Sequence, residues 1–250
     1  MQTRAKEKEL AGAVAGLTWP RVRAWSVHLF TALGAVLALA GVIYIGEGQA
    51  RLAAYVLGAA CVIDAVDGGL ARAFKVKQWA PEFDGRKLDD IVDYLTYVFA
   101  PMYFVYKFDM VPAGWLPVLF LVLLASAYRF CEQSAKTSDG YFTGFPSYWN
   151  FVVMYCYLLR LPPLANALIL LFWAIMVFVP IKYIYPSHTP VLKALNIGLT
   201  AVEGVITVAV ILTFDNPIPW LVWLSVAYWV YYLGISFYLN FRTRDGAAKT

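Results

Sequence analysis

The chain has 250 residues, of which 61% are hydrophobic and only 14% charged, with a net charge of +4. A water-soluble domain of this length needs a more polar surface, so that class is excluded. The modest positive balance comes without a basic face interleaved with stacking aromatics, which excludes nucleic-acid binding and leaves attraction to anionic membrane lipids as its use.

Repeated apolar runs of about 20 residues predict an all-α polytopic membrane protein. Residues 1–24 read as a mixed-charge cytoplasmic segment lacking the short apolar core of a cleaved signal. The segment EKELAGAVAGLTWPRVRAW fits an amphipathic helix lying on the cytoplasmic surface before the first span. About eight transmembrane helices follow, near 25–45, 51–73, 90–110, 113–133, 146–161, 163–184, 192–213 and 217–240. The fifth, FPSYWNFVVMYCYLLRL, is short enough to be re-entrant. Residues 25–241 form a single transmembrane domain and 242–250 a tail. Cys61, Cys131 and Cys156 lie in or near apolar runs without ligand spacing, so they read as spectator thiols and not as a disulfide framework. The 17 tyrosines and 9 tryptophans suit interfacial belts, or the lining of a site.

Lys and Arg set the orientation. Arg21 and Arg23 precede the first span, Lys75, Lys77, Arg86 and Lys87 follow the second, and Arg129 and Lys136 close the fourth. Lys182 and Lys193 flank the connection from the sixth to the seventh, and Arg242 and Arg244 follow the eighth. The alternate loops hold mainly Arg51, Lys107 and Arg160. Both termini are therefore expected in the cytoplasm, in agreement with an even number of spans.

Four aspartates interrupt this apolar pattern. Asp64 and Asp67 lie near the cytoplasmic end of the second span, and Asp89 and Asp93 at the cytoplasmic start of the third. Spacings of three and four place each pair on one helix face. The short basic connection makes the two spans antiparallel neighbours with their acidic ends at one level. An Asp at the centre of a membrane helix costs ~2.5–3.5 kcal/mol, less near the surface, and converging carboxylates also repel. Two divalent cations would neutralise them, and hard oxygen ligands suit Mg2+ or Mn2+. The plain alternative, helix-end charges in water paired with Arg72, Arg86 and Lys87, accounts poorly for paired register on two helices. Gly68 and Ala71 on one stripe, and Gly85 on the other, would let a bulky ligand approach the backbone, or let the helices pack closely.

These residues carry a resemblance. Asp67-Gly68, two residues, Ala71-Arg72, a gap, Gly85, three residues, Asp89, three residues and Asp93 is similar to the signature of the CDP-alcohol phosphotransferase family, with Asp64 as the usual upstream aspartate. The gap AFKVKQWAPEFD, twelve residues, is longer than the common one and resembles the bacterial phosphatidylcholine synthase branch of the family. So do AWSVHLFTALG, DGRKLDDIVDYLTYVFAP and AKTSDGYFTGFPSYWN; the likeness is weaker after about residue 162.

The resemblance implies a helical bundle that transfers the phosphatidyl group of CDP-diacylglycerol to choline, releasing CMP. Carried over residue by residue, it implies Asp64, Asp67 and Asp89 as metal ligands, with Asp93 as general base beside a metal. Arg72 is expected on the donor's phosphates or nucleotide, and Gly68, Ala71 and Gly85 are expected to leave room for the cytidylyl group. Arg129 and Lys136 are further candidates for donor phosphate, with positive-inside anchoring as the plain alternative. Asp90 points about 100° from Asp89 on an ideal helix and is left out, and Asp84 cannot be assigned. His28 and Thr31 fit a nucleotide contact or, better, an interhelical hydrogen bond. Choline offers no N–H donors, so its ammonium calls for aromatic faces, helped by a carboxylate. Tyr97, Tyr148 and Trp149 are the expected set, with Tyr94, Tyr128 and Glu132 near in sequence. The resemblance also implies a bacterial inner membrane, an active site facing the cytoplasm, and a homodimer.

Two rivals remain. The same chemistry with serine, inositol or glycerol phosphate as acceptor shares every aspartate, although a phosphorylated acceptor needs more uncommitted cations than this site offers. A cation transporter would place acids at mid-membrane and on both sides of the bilayer.

Overall fold

A computed structural model describes residues 18–132, 141–186 and 189–247, with the backbone alone for 142 and 241–247. Lys136 and most of the expected surface helix lie outside these residues, as does the end of the tail.

The predicted spans correspond to helices in order. Helix α1 is Trp19–Gly46 and α2 is Ala50–Ala73, and the two pack along their length. Gly34 and Gly41 allow this bundle to close: a Cβ on Gly34 would stand 2.5 Å from Val92 Cγ1, and one on Gly41 2.9 Å from Leu57 Cδ2. A short turn of helix, α3 (Val76–Trp79), follows Lys75, which takes a left-handed φ of 50°. Its Val76 and Ala80 pack with Ala24 and Val27 of α1, so the long connection after Arg72 is folded against the first helix.

The third span is composite. Helix α4 (Gly85–Asp93) is capped by Asp84, whose Oδ1 accepts from the backbone N–H of Arg86 and Lys87 at 3.1 and 3.2 Å. That cap gives Asp84 a structural role. A π-helical segment, Tyr94–Phe99, leads into α5 (Ala100–Lys107). Pro101 lacks the N–H that would bond the carbonyl of Tyr97 in an α-helix, which favours the wider turn just upstream. After a 3-10 turn at Ala113–Trp115 comes α6 (Leu116–Cys131).

The fifth and sixth segments differ from expectation in length. Helix α7 (Trp149–Leu158) is 10 residues and α8 (Pro163–Met176) is 14. At 1.5 Å per residue they reach about 15 and 21 Å, short of a hydrocarbon core of about 30 Å. The sixth span was expected to continue to residue 184. Instead the chain turns at Val179-Pro180, where Pro180 has no N–H for a helix, and Lys182–Ile184 form strand β2. It pairs antiparallel with β1 (Tyr141–Thr143), Phe142 opposite Tyr183. Gly144, at φ +76°, seals this corner: a Cβ there would stand 2.3 Å from the carbonyl oxygen of Val177.

Helices α9 (Lys193–Leu212) and α10 (Pro219–Ala247) complete the bundle. Tyr55 donates to the carbonyl of Leu212 at 3.2 Å, and Arg51 pairs with Asp215 at 2.5 Å, so α9 runs antiparallel to α2. Strand β2 docks on α10 through Ile184 N–H to Ser236 Oγ at 3.1 Å and Tyr232 OH to the Ile184 carbonyl at 3.1 Å.

The architecture is an all-α polytopic membrane bundle with one small β ribbon. Among the described residues, five helices are long and apolar enough to cross a membrane singly: α1, α2, α6 with its 3-10 turn, α9 and α10. Large apolar side chains stand exposed along them, including Leu29, Val36, Phe120, Leu124, Val205 and Val230. In water such surface would be unfavourable; in lipid it faces its own kind. The main core lies around the π segment, α5, α6, α7 and α8, with Val98, Val105, Val122, Trp149 and Leu170 almost wholly buried. Cys61, Cys131 and Cys156 form no disulfide.

Candidate active site

The carboxylates converge because α2 and α4 both pack on α1, which sets Asp64 of one beside Asp89 and Asp93 of the other. One oxygen each from Asp64, Asp89 and Asp93 lies within 4.8 Å of the others, all three residues half-buried. Asp93 Oδ1 is buried without a hydrogen-bond partner. Like charges at this separation are mutually unfavourable, and a buried carboxylate oxygen with no donor is costly unless a cation accompanies it. The donor set is all oxygen, as Mg2+ and Mn2+ require. The residues therefore fit divalent metal.

Two neutral donors fix two of the aspartates. Thr31 of α1 donates to Asp67 Oδ2 at 2.7 Å, and Asp67 is only 7% exposed. This is the interhelical hydrogen bond expected of the first span. Tyr97 of the π segment donates to Asp64 Oδ2 at 2.7 Å. Asp93 and Tyr97, four residues apart, both approach Asp64 of α2. Asp67 is not one of the three residues whose oxygens close on each other.

The small residues sort into two uses. A Cβ on Gly85 would stand 2.7 Å from His28 Cε1 and 3.1 Å from its Nδ1, so Gly85 admits the imidazole of α1. His28 also packs on Phe83 with ring centroids 4.4 Å apart, and its Nε2 is buried without a partner. Ala71 packs with the cluster of Ala24, Val27, Val76 and Ala80. Gly68 is open except for Arg72 Nη1, which lies 3.6 Å from where its Cβ would be. Arg72 is exposed and so free to meet a ligand on that face. Arg21 pairs with Glu82 in the connection; Glu82's own backbone N–H, and then Arg21, hold its carboxyl below the usual range.

A cavity of about 900 Å3 opens beside the cluster, between α2, the π segment, α7, α9 and α10. Asp64, Tyr97 and Tyr148 line it, with Tyr185, Tyr228, Trp229, Tyr232 and Glu203. The Tyr148 ring is 6.4 Å from Tyr97, 5.8 Å from Trp229 and 6.5 Å from Tyr232. Trp149 is not among the lining residues. It is wholly buried, donates from Nε1 to Ser126 Oγ at 2.7 Å, and packs on Phe145. Arg129, 5% exposed, donates to Glu132 at 2.7 Å; both line a separate hollow of about 70 Å3 with Gly144 and Val177. Tyr94 donates to the Leu123 carbonyl at 3.1 Å, and Tyr128 packs on Phe178.

The profile described as CDP-alcohol phosphatidyltransferase matches residues 26–181, more than half of the chain. The chain belongs to this family. Relatives carry the likeness further. A phosphatidylcholine synthase of Legionella pneumophila is 37% identical over 226 residues, covering 87% of this chain and 89% of its own. One of Borreliella burgdorferi is 35% identical, covering 90% and 97%. One of Pseudomonas aeruginosa is 34% identical, covering 89% and 94%. A match over nine-tenths of the chain runs past residue 181, so the likeness to these proteins takes in α9, which lies beyond the family profile.

Glu203 and the aromatics of α10 were not singled out in the sequence. The available signal was a lone acid in the apolar run NIGLTAVEGVITVAVIL, since an ionisable residue inside a membrane span marks a site by default. A transporter was expected to place acids at mid-membrane and on both sides of the bilayer. Family membership gives the cluster a different use.

Proposed function

We propose that this chain is a phosphatidylcholine synthase, transferring the phosphatidyl group of CDP-diacylglycerol to choline with release of CMP. The observation that carries the reading is the convergence of Asp64, Asp89 and Asp93 beside a cavity walled by Tyr97 and Tyr148. Similarity over most of the chain to bacterial proteins of that name supports the choice of acceptor.

Asp64, Asp89 and Asp93, with Asp67, would hold two divalent ions, Mg2+ or Mn2+. Such ions supply charge neutralisation for the pyrophosphate and for the departing CMP. Asp93 takes the proton from the choline hydroxyl. The choline oxygen forms a bond to the phosphorus that bears diacylglycerol, and the bond from that phosphorus to the CMP oxygen breaks. Positioning and charge do most of the work in such transfers. Arg72 meets the donor's phosphates over the open face of Gly68, and Tyr97 and Thr31 hold Asp64 and Asp67 in place. Ala71 and Gly85 serve the donor site by closing the helices around it. Arg129 and Lys136 stand as outer cationic groups for the donor phosphate, Arg129 acting from its pair with Glu132. Of the aromatic set, Tyr97 and Tyr148 face the acceptor and Trp149 supports the loop that carries Tyr148.

The lysine and arginine distribution supports a bacterial inner-membrane protein with its active site toward the cytoplasm. A homodimer is the expected assembly, and chemical cross-linking in membranes tests it. The activity is tested with purified protein, CDP-diacylglycerol and each alcohol in turn. Phosphatidylcholine and CMP should form with choline. Product with serine, inositol or glycerol phosphate and none with choline would refute the assignment.

A further inference from the structure

Glu203 sits in the middle of α9, in a chain segment beyond the family profile. It is 4% exposed. Tyr155 and Thr207 donate to its Oε1 at 3.3 and 3.0 Å, and Ser225 of α10 donates to the same oxygen. The other oxygen, Oε2, is buried with no hydrogen-bond partner. A carboxylate held by three hydroxyls on one side and left bare on the other is incomplete unless a cation faces it.

Glu203 lines the cavity shared with Asp64. A Cβ on Gly58 of α2 would stand 2.9 Å from Ile211 of α9, which puts those residues level. Asp64 lies six residues along α2 from Gly58, and Glu203 eight residues back along α9 from Ile211, so they advance about 9 and 12 Å in one direction. The two acids thus occupy similar depths on facing walls. Ser225 and Trp229 are one turn apart on α10, and Trp229 lies 5.6 Å from Tyr232 and 5.8 Å from Tyr148, ring centre to ring centre. Tyr148 leads through Tyr97 to Asp64. The wall from Glu203 to the aspartate cluster is therefore aromatic.

We propose that Glu203, with the faces of Tyr148, Trp229 and Tyr232, binds the quaternary ammonium of the acceptor and directs its hydroxyl toward Asp93. The inference rests on choline being the acceptor. A trimethylammonium group has no N–H to satisfy a hydrogen-bonding cage, so it is recognised by charge and by aromatic faces. Glu203 supplies charge through the oxygen that the three hydroxyls leave open, and α9 and α10 become the acceptor-selecting part of the molecule.

The test is equilibrium binding and kinetics on wild-type protein and Glu203→Gln. Gln keeps the carbonyl that accepts from Tyr155 and Thr207, so thermal stability holds. The KM for choline should rise about tenfold or more with the KM for CDP-diacylglycerol unchanged. Preference for choline over its neutral analogue 3,3-dimethylbutan-1-ol should collapse. A structural role for Glu203 would move stability and leave that preference intact, and this result would overturn the proposal. If Glu203→Gln does not fold, the wild-type protein decides: tetramethylammonium should bind saturably and compete with choline but not with CDP-diacylglycerol, and absence of binding overturns the proposal. Binding of choline and tetramethylammonium without turnover would uphold the ammonium site while refuting the synthase activity.

Discussion

The Tyr97 hydroxyl donates to Asp64 Oδ2 across 2.7 Å, linking the π segment to the carboxylate cluster. Second-layer hydrogen bonds of this kind orient metal ligands, and their loss commonly weakens metal affinity about 10–100-fold. Tyr97→Phe should therefore shift the divalent-ion concentration for half-maximal CMP release upward by about that factor, with unchanged helical content. A metal titration of CMP release checks it.

Asp93 Oδ1 is buried without a donor among two other carboxylates. In chelator, Asp93→Asn removes one of three mutually repelling charges and should melt at a higher temperature than wild type, by about 2–4 °C for each kcal/mol relieved. Added Mg2+ should raise the melting temperature of wild type by more than that of the variant. Thermal unfolding in detergent with and without Mg2+ reads both.

Gly85 separates two explanations of the small-residue stripe. A methyl group there stands 2.7 Å from His28 Cε1, so Gly85→Ala should destabilise by about 1–3 kcal/mol through overpacking. Adding His28→Ala should restore most of that stability. Recovery of stability without recovery of CDP-diacylglycerol affinity would assign Gly85 a direct contact with the nucleotide as well.

Trp149 and Tyr148 are neighbours with different expected phenotypes. Trp149→Phe loses the bond to Ser126 and should lower stability by about 1–3 kcal/mol, with the KM for choline unchanged. Tyr148→Leu should instead raise the KM for choline, because its ring lines the cavity. Parallel melting and kinetic measurements distinguish the two.

Much of this was legible in the sequence because it is local. Helical spacing alone puts Asp64 with Asp67 and Asp89 with Asp93, and the two helices follow one another in the chain; of the four, Asp64, Asp89 and Asp93 close on each other. Apolar runs located each of the long membrane helices among the described residues. What was not legible depends on contacts between distant segments. Thr31 was a candidate only for some interhelical bond, and its choice of Asp67 needs the crossing of α1 and α2. The π turn follows from Pro101, but its effect appears only when Tyr97 is seen against Asp64. The sixth segment reads as apolar through residue 184, yet Pro180 and docking of β2 on α10 end the helix early. Trp149 looked like an aromatic available to a ligand, and its burial on Ser126 is fixed by α6, remote in sequence. Glu203 gained meaning only when α9 brought it to the depth of Asp64.

In the proposed reaction Asp93, within the carboxylate cluster, activates the acceptor hydroxyl. The most direct test is CMP release from CDP-diacylglycerol and choline by Asp93→Asn, with CDP-diacylglycerol binding measured on the same sample. The rate should fall by about 10^2–10^4 with donor binding largely retained. CMP release at the wild-type rate would contradict it.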